Sequence, residues 1–445
     1  MKMGWPYPRF DMDQEVERLK SELGPLVKKI GINVTLYGWD VVSDMDDAKS
    51  LEKEINGADG LILIYLTSGT GDLISTIVGF GLPTILYAQP YSGHYWTSAR
   101  QLREAKKRVL VVASSDLKEL VEKVRLLYIA ARLRHAKFLA FGNFSRDESY
   151  QRAVQTVRPY LPHPIDKSYL KSIKEKLGVE VKVFNYKRID DAYASVSVGD
   201  AARLAEKVID EAEGIVEPSR KDVIAAVRLY LALKKIIEEE GADAITIDCL
   251  PMLSSREGMT TVSFLSATPC LAFSMLNDEG MPAACEADLD SLLTMFIFRH
   301  LTGKPSFISD PVVDVGKNRV IHAHCTSPRR MRGFELKPEP FMLRNHSESH
   351  TSVSLQVKMR EGQEITAAKL VGLEKIIASK GKITANPDVE RACRTKVETK
   401  ITDVKTFIKN FTGGLHRVIV YGDYLRELEN LSKLLALDFI IEAYI

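Results

Sequence analysis

The chain has 445 residues, of which 45% are hydrophobic and 27% are charged, a composition typical of globular proteins. This length exceeds what a single hydrophobic core accommodates, so we expect two or three domains. The 61 Lys and Arg residues stand against 59 Asp and Glu residues, giving a formal charge of +2. That near balance gives no electrostatic reason to expect nucleic acid or an anionic membrane as a partner.

The targeting and redox signals of the sequence favour a cytoplasmic protein. The first residues, MKMGWPYPRFDMD, lack the basic-then-apolar pattern of a signal peptide. The apolar runs have the length of strands and are far shorter than a bilayer span. The 5 cysteines are odd in number, widely spaced and without a CxxC pair, so neither a disulfide framework nor a cysteine zinc site is indicated.

Strands and helices alternate through the first third of the chain. Apolar residues at helical spacing predict a helix over residues 13–29, and INVTLYG after it is predicted to be a strand. Alternation of this kind predicts a parallel sheet that is covered on both faces. The further predicted elements are helices over 47–55, 73–78 and 117–133 and strands in ADGLILIYL, LPTILYA and KRVLVVAS.

A second unit of the same kind begins at KFLAFGN, and the pattern changes from Pro305 onward. The second unit has predicted helices over 201–212 and 220–239, and AITIDCL and CLAFSML have the pattern of buried strands. After Pro305, segments such as VIHAHCT, SVSLQVKM and KITANP are typical of antiparallel strands. We therefore predict an α/β fold with two tandem Rossmann/flavodoxin-like domains, residues 1–136 and 137–304, followed by a β-rich, barrel-like domain, residues 305–445.

Four acidic residues crowd a short segment between a predicted buried strand and an apolar helix. They are Asp278, Glu279, Glu286 and Asp288, in NDEGMPAACEADLDSLLTMFIFRHLTG. Ligands of open α/β sheets bind at the carboxyl ends of the strands, so a carboxylate in this place suits a functional site. The alternative is that Glu286 and Asp288 only complement the positive end of the helix dipole.

Three further segments offer oxygen or imidazole ligands. His416 follows a Gly-Gly turn in GGLHRVIVYGD, where the backbone can approach a ligand closely, although a structural histidine is the alternative. Asp310 precedes a proline in FISDPVVD, a pattern that usually marks a turn. Strand alternation puts His322 and His324 of VIHAHC on one face, either as a metal pair or as ordinary strand residues. A set of carboxylate and imidazole ligands that includes no cysteine thiolate suits Mn²⁺, Mg²⁺ or Co²⁺.

These segments resemble the L-fucose isomerase family, to which the L-arabinose isomerases are more distantly similar. The resemblance is carried by the stretch from GADAITIDCL to NRVIHAHCTSP, including CEADLDSLLTMFIFRHLTG and FISDPVVD, and by GGLHRVIVYGDYLRELENLSKLLALDF. It extends more loosely to ADGLILIYLTSGTGDLI in the first third. The resemblance implies two Rossmann-like domains, a β-rich third domain and a homo-oligomer, either a trimer or a hexamer.

The resemblance also implies a divalent metal, most often Mn²⁺, held by Glu286, Asp310 and His416. A further histidine of the L-arabinose isomerases corresponds to VIHAHC, which makes His324 or His322 a candidate fourth ligand or substrate contact. The implied activity is that of an intramolecular oxidoreductase, which isomerises a free aldose such as L-fucose or D-arabinose through an enediolate. In our hypothesis Glu286 and Asp310 also serve as the acid/base pair, and His416 is a ligand only.

Two other functions remain open at this point. One is an epimerase or isomerase of a modified sugar. The other is a non-catalytic sugar-binding or regulatory protein, because tandem Rossmann-like domains also occur in sugar receptors.

Overall fold

The computed structural model describes residues 11–142, 165–249 and 267–443, which fall into two compact units. The first unit takes in the described residues of Met1–Arg134 together with Arg426–Phe439. The second takes in those of His135–Leu425 together with Ile440–Ile445. Within the three described ranges, each helix is too short or too polar to cross a membrane.

The helices and strands follow one another much as the sequence predicts. The helices are α1 Met12–Lys28, α2 Met45–Glu54, α3 Gly71–Gly79, α4 Ala99–Glu104, α5 Leu117–Arg134, α6 Lys167–Leu177, α7 Lys187–Ser195, α8 Val198–Glu211, α9 Arg220–Glu240, α10 Cys270–Asp278, α11 Leu289–Thr302, α12 Val404–Asn410 and α13 Leu425–Leu434. The strands are β1 Leu61–Tyr65, β2 Thr84–Ala88, β3 Val109–Ala113, β4 Lys137–Phe141, β5 Glu180–Phe184, β6 Gly214–Ile215, β7 Ala244–Ile247, β8 Ala283–Ala284, β9 Phe307–Asp314, β10 Arg319–His324, β11 Phe341–Arg344, β12 Ser354–Val357, β13 Glu364–Val371, β14 Lys375–Ala385, β15 Thr395–Lys400, β16 Arg417–Tyr421 and β17 Asp438–Ala443.

In the first unit, the apolar runs of the sequence form a parallel sheet in the order β1-β2-β3. The segment INVTLYG was predicted to be a strand, and this prediction is wrong. It keeps the alternating exposure of a strand but pairs with no strand of the described chain. The sequence pattern predicts an alternation of exposure, whereas pairing depends on a neighbouring backbone that local sequence does not specify. This segment and β1 both line a cavity of about 590 Å³.

In the second unit, a four-stranded parallel sheet has the order β5-β4-β7-β8. The long helix α9 begins at a capping box, in which Ser219 and Asp222 bond each other's backbone amides, and it ends at the left-handed Gly241. The segment CLAFSML was predicted to be a buried strand but forms the helix α10 instead. All nine residues of α10 are buried, so no polar face reveals the helical period, and short apolar runs of this kind are ambiguous.

The last third of the chain forms the predicted β-rich, barrel-like structure. Six antiparallel strands follow the order β13-β16-β9-β10-β15-β14, and β14 also pairs with β13, which closes the ring. Alternate residues of these strands, such as Ile365 and Ala367 or Ile419 and Tyr421, belong to one buried cluster. The mixed α/β class with parallel sheets and a barrel-like carboxy-terminal part is thus confirmed.

Candidate metal centre

Glu286 lies in the short turn between β8 and α11. Glu286 and Ala287 both have left-handed backbone angles, with φ of 60° and 54°. Such a conformation is costly for residues other than glycine, on the order of 1–3 kcal/mol each. It is held in place because the amide of Ala287 donates to the carbonyl of Ile247, at 3.0 Å, at the end of the neighbouring β7. The turn therefore presents Glu286 at the carboxyl end of the parallel sheet.

Asp310 lies within the strand β9, and the turn that its Asp-Pro sequence usually marks is not formed there. Asp310 pairs with Ala323 of β10, and Pro311 pairs with His322. The pairing of β9 with β16 covers Phe307 to Ser309 only, so Pro311 lies beyond it. Because Pro has no N–H to donate, such a one-sided position is where a strand tolerates it.

The two histidines lie at the ends of β10 and β16, the two strands that flank β9 in the barrel. His324 is the last residue of β10, and His416 directly precedes β16. The ring centroids of His324 and His416 are 5.5 Å apart, with the rings nearly perpendicular. The Nε2 atom of His416 lies 3.5 Å from Glu286 Oε2 and 3.3 Å from Asp310 Oδ1.

Three of these side chains form a set with metal-ligand spacing. One ligand atom each of Glu286, His324 and His416 lies within 4.8 Å of the others, and among the described residues this is the set that could hold a metal ion. Asp310 lies next to this set, because its Oδ1 is 3.3 Å from His416 Nε2. The structure thus brings together the four residues that the sequence analysis named, and their role as ligands stays a prediction.

Two buried polar atoms at this place lack a hydrogen bond. They are His416 Nε2 and Asp310 Oδ1, which lie 3.3 Å apart but meet the geometry of a hydrogen bond neither with each other nor with another described residue. A buried polar atom without a partner is costly, and native structures rarely leave one unexplained. A divalent cation would give both atoms a partner, and carboxylate and imidazole ligands suit a hard or borderline ion. The residues present therefore fit the metal that the resemblance implies.

The opposite edge of the His416 ring contacts Asp288. Nδ1 of His416 lies 2.8 Å from Asp288 Oδ2, and both side chains are fully buried. Burial lowers the pKa of His416, but the negative charges of Glu286, Asp288 and Asp310 outweigh burial and raise this pKa to about 10. Burial raises the pKa of Glu286, but the charge of His416 outweighs it, and the net effect is a lowered pKa. A divalent ion at this place would therefore compete with a proton for Nε2.

His322, the second histidine of VIHAHC, belongs to the barrel wall. Its Nδ1 lies 3.2 Å from Ser309 Oγ, and its ring is buried. Burial, together with the charge of Arg417, lowers the pKa of His322 to about 3. His322 is thus a neutral strand residue in this structure, and His324 is the histidine that joins the metal-ligand set.

Asp248 is an acidic residue of this region that the sequence analysis did not single out. It directly follows β7 and is buried. Burial, with the like charge of Glu286, raises the pKa of Asp248 to about 7. The signal that could have found it is an acid placed immediately after a buried parallel strand, in AITIDCL. The site region therefore contains a carboxyl group that titrates near neutrality.

The turn before His416 depends on glycine, and this yields a stability prediction. Gly413 has φ of 80°, and a Cβ added there would overlap the side chain of Val371. Replacing Gly413 with Ala is expected to lower the free energy of unfolding by about 1–3 kcal/mol more than the same replacement at a glycine with free space around it. Gly362 is the matched control, because its φ is 79° and nothing lies within 4 Å of an added Cβ. Equal losses for the two variants in urea unfolding would contradict the crowding at Gly413.

Comparison with known proteins gives partial matches to one kind of enzyme. No family model matches the chain. A sulfoquinovose isomerase from Clostridium sp. (strain MSTE9) is 24% identical over 256 residues, which cover 56% of this chain and 54% of that protein. Sulfoquinovose isomerases from Priestia megaterium (strain ATCC 12872 / QMB1551) and Alkalicoccus urumqiensis are 28% and 32% identical over 130 and 96 residues. Those two matches cover 29% and 21% of this chain, and 26% and 20% of the relatives.

The chain thus spans about half the length of the first of these relatives and less of the other two. All three carry the name of a sugar isomerase, which agrees with the coarse expectation from the sequence. The sugar in their name is sulfoquinovose and not L-fucose.

Proposed function

We propose that this chain is a metal-dependent aldose–ketose isomerase that acts on a free sugar. The observation that carries the proposal is His416 Nε2, which is buried without a hydrogen bond and lies between the carboxylates of Glu286 and Asp310. The matches to sulfoquinovose isomerases support the same reaction class. A protein that only bound a sugar would have no need for this arrangement.

The reaction moves one proton between C1 and C2 of the sugar and another between their oxygens. A bound divalent ion, most suitably Mn²⁺, would stabilise the negative charge that develops on those oxygens. Glu286, Asp310 and His416 would hold the ion, with His324 as a fourth candidate ligand. Glu286 and Asp310 remain partly exposed, at 18% and 23% of their side-chain surface, so they can also reach a substrate carbon and carry its proton.

Several free sugars are candidate substrates, and we propose to test them side by side. Sulfoquinovose, a sugar with a sulfonate group, is the sugar in the name of the relatives, and it is the first sugar to be tested. L-fucose and D-arabinose, which the family resemblance implies, come next. All have an aldehyde carbon next to a hydroxyl-bearing carbon, and the proposed chemistry requires only these two positions.

The test uses the whole purified chain, first stripped of metal with a chelator and then reloaded with Mn²⁺, Mg²⁺ or Co²⁺. Each sugar is incubated in D₂O, and NMR follows both the exchange of the C2 proton and the appearance of the ketose. We expect no turnover in the stripped protein and restored turnover with Mn²⁺. Sugar binding without exchange for every metal and sugar would instead indicate a non-catalytic binding protein. Epimer formation without a ketose would indicate the epimerase alternative.

A further inference from the structure

We propose that Asp288 is a positioning residue that orients His416 toward the metal, and that Lys369 holds the Asp288 side chain in place. The inference rests on the proposed metal-dependent function, and it concerns two residues that touch neither the substrate nor the ion. Both lie in the core of the second unit, where charged side chains are rare unless they are paired.

The carboxylate of Asp288 is surrounded by hydrogen-bond donors. Asp288 is the N-cap of α11, so its Oδ1 accepts from the backbone amide of Ser291 at 2.9 Å. Its Oδ2 accepts from the Ser291 hydroxyl at 2.7 Å and from Lys369 Nζ at 2.7 Å, and it lies 2.8 Å from His416 Nδ1. These three donors and the positive end of the helix dipole favour the ionised form despite full burial.

An ionised carboxylate accepts hydrogen bonds and donates none, and this fixes the proton on His416. The ring atom that faces Asp288, Nδ1, must carry a hydrogen. When the imidazole is neutral, its lone pair is therefore on Nε2, the atom that faces Glu286 and Asp310. A carboxylate behind a metal-binding histidine sets the ring orientation in this way in many metal sites.

Lys369 supplies the positive charge that compensates the buried carboxylate of Asp288. It lies in β13 among Ala367, Ala368 and Leu370, and only 1% of its side chain is exposed. In the described structure its ammonium group makes one hydrogen bond, the 2.7 Å contact with Asp288. Burying a lysine ammonium group without a paired charge costs free energy. The pairing with Asp288, and not the packing of the barrel, therefore accounts for a lysine at this buried position.

A neighbouring acid gives a matched control. Asp290 is buried, as Asp288 is, and lies in the first turn of α11, which Asp288 caps. Its carboxylate bonds the Tyr169 hydroxyl and the backbone amide of Gly372, and it makes no hydrogen bond to His416. Replacing Asp290 with Asn therefore disturbs the same helix turn without removing the contact to the metal-binding ring.

The experiment measures Mn²⁺ binding to the metal-free protein, with free Mn²⁺ followed by electron paramagnetic resonance. For Asp288→Asn we expect the affinity to fall about 10–100-fold, the usual effect of removing the partner of a metal-binding histidine. For Asp290→Asn we expect wild-type affinity. Because Asp288→Asn leaves Lys369 unpaired and can unfold the chain, the double variant Asp288→Asn with Lys369→Met is measured as well. It removes Asp288 and its paired lysine together, and we expect the same 10–100-fold loss.

Each outcome bears on the inference in a defined way. Wild-type affinity in a folded Asp288 variant, single or double, overturns the positioning role and leaves the proposed isomerase standing. An equal loss in Asp290→Asn also overturns it, because a disturbed helix turn would then explain the effect. A wild-type protein that binds no Mn²⁺ overturns both the inference and the metal on which it rests.

Discussion

Replacing Glu286 with Gln is expected to lower isomerase turnover on the order of 10²–10⁴-fold, the range for the loss of a general acid or base. Gln keeps the size of the side chain and tolerates the same backbone turn, so the fold should remain. It lacks the negative charge that faces His416 Nε2 at 3.5 Å and cannot accept a proton from the substrate carbon. Turnover is measured by NMR exchange of the C2 proton in the presence of Mn²⁺.

The matched control for this change is Glu361→Gln, which alters an exposed glutamate in a turn of the same unit. We expect wild-type turnover and metal content in that variant. Metal content of Glu286→Gln should also fall, because one carboxylate of the ligand set is lost. Retained turnover in Glu286→Gln would remove Glu286 from the site and with it the proposed acid/base pair.

Replacing Glu442 with Gln is expected to lower the free energy of unfolding by about 3–5 kcal/mol, the usual cost of breaking a buried ion pair. Glu442 and Arg417 are both fully buried, and two contacts join them, at 2.9 Å and 2.5 Å. Arg417 also donates to the carbonyls of Thr412 and His416 and lies 4.0 Å over the Phe411 ring. The variant leaves this cation without its counter-charge, next to the turn that carries His416.

Chemical unfolding of the metal-free protein measures this effect. The control is Glu213→Gln, which removes one partner of an exposed pair with Lys358, where 48% and 58% of the side chains are exposed. Pairs of this kind contribute about 0–1 kcal/mol. A loss for Glu442→Gln no larger than that for Glu213→Gln would show that the buried pair does not stabilise the barrel.

Sequence patterns predicted those parts of the fold in which exposure alternates with a clear period. The helices α5 and α9 are of this kind, because Leu117–Arg134 and Arg220–Glu240 lie within one residue of the predicted bounds 117–133 and 220–239. CLAFSML failed because a helix buried on all sides has no polar face, and INVTLYG failed because pairing depends on distant backbone. Where burial or pairing is decided by the rest of the chain, local sequence does not specify the element.

The candidate site shows the same division. Each of Glu286, Asp310 and His416 had an ordinary structural explanation when taken alone, and only the family resemblance linked them. Lys369 was missed because its burial comes from elements far away in the sequence, whereas Asp248 carries a local signal, since it directly follows a buried strand. Lys369 in particular is one lysine among many until the fold places it against Asp288.

The order of the candidate ligands along the chain has a consequence for when the proposed metal site can form. β16, which follows His416, pairs with β9 and β13, both of which are synthesised much earlier. A nascent chain that has not yet reached β16 contains Glu286, Asp310 and His324 but lacks the ring that brings their ligand atoms to one point. In the proposed isomerase, ion capture would therefore be a late step in biogenesis, and the finished barrel, not the growing chain, would select the cation.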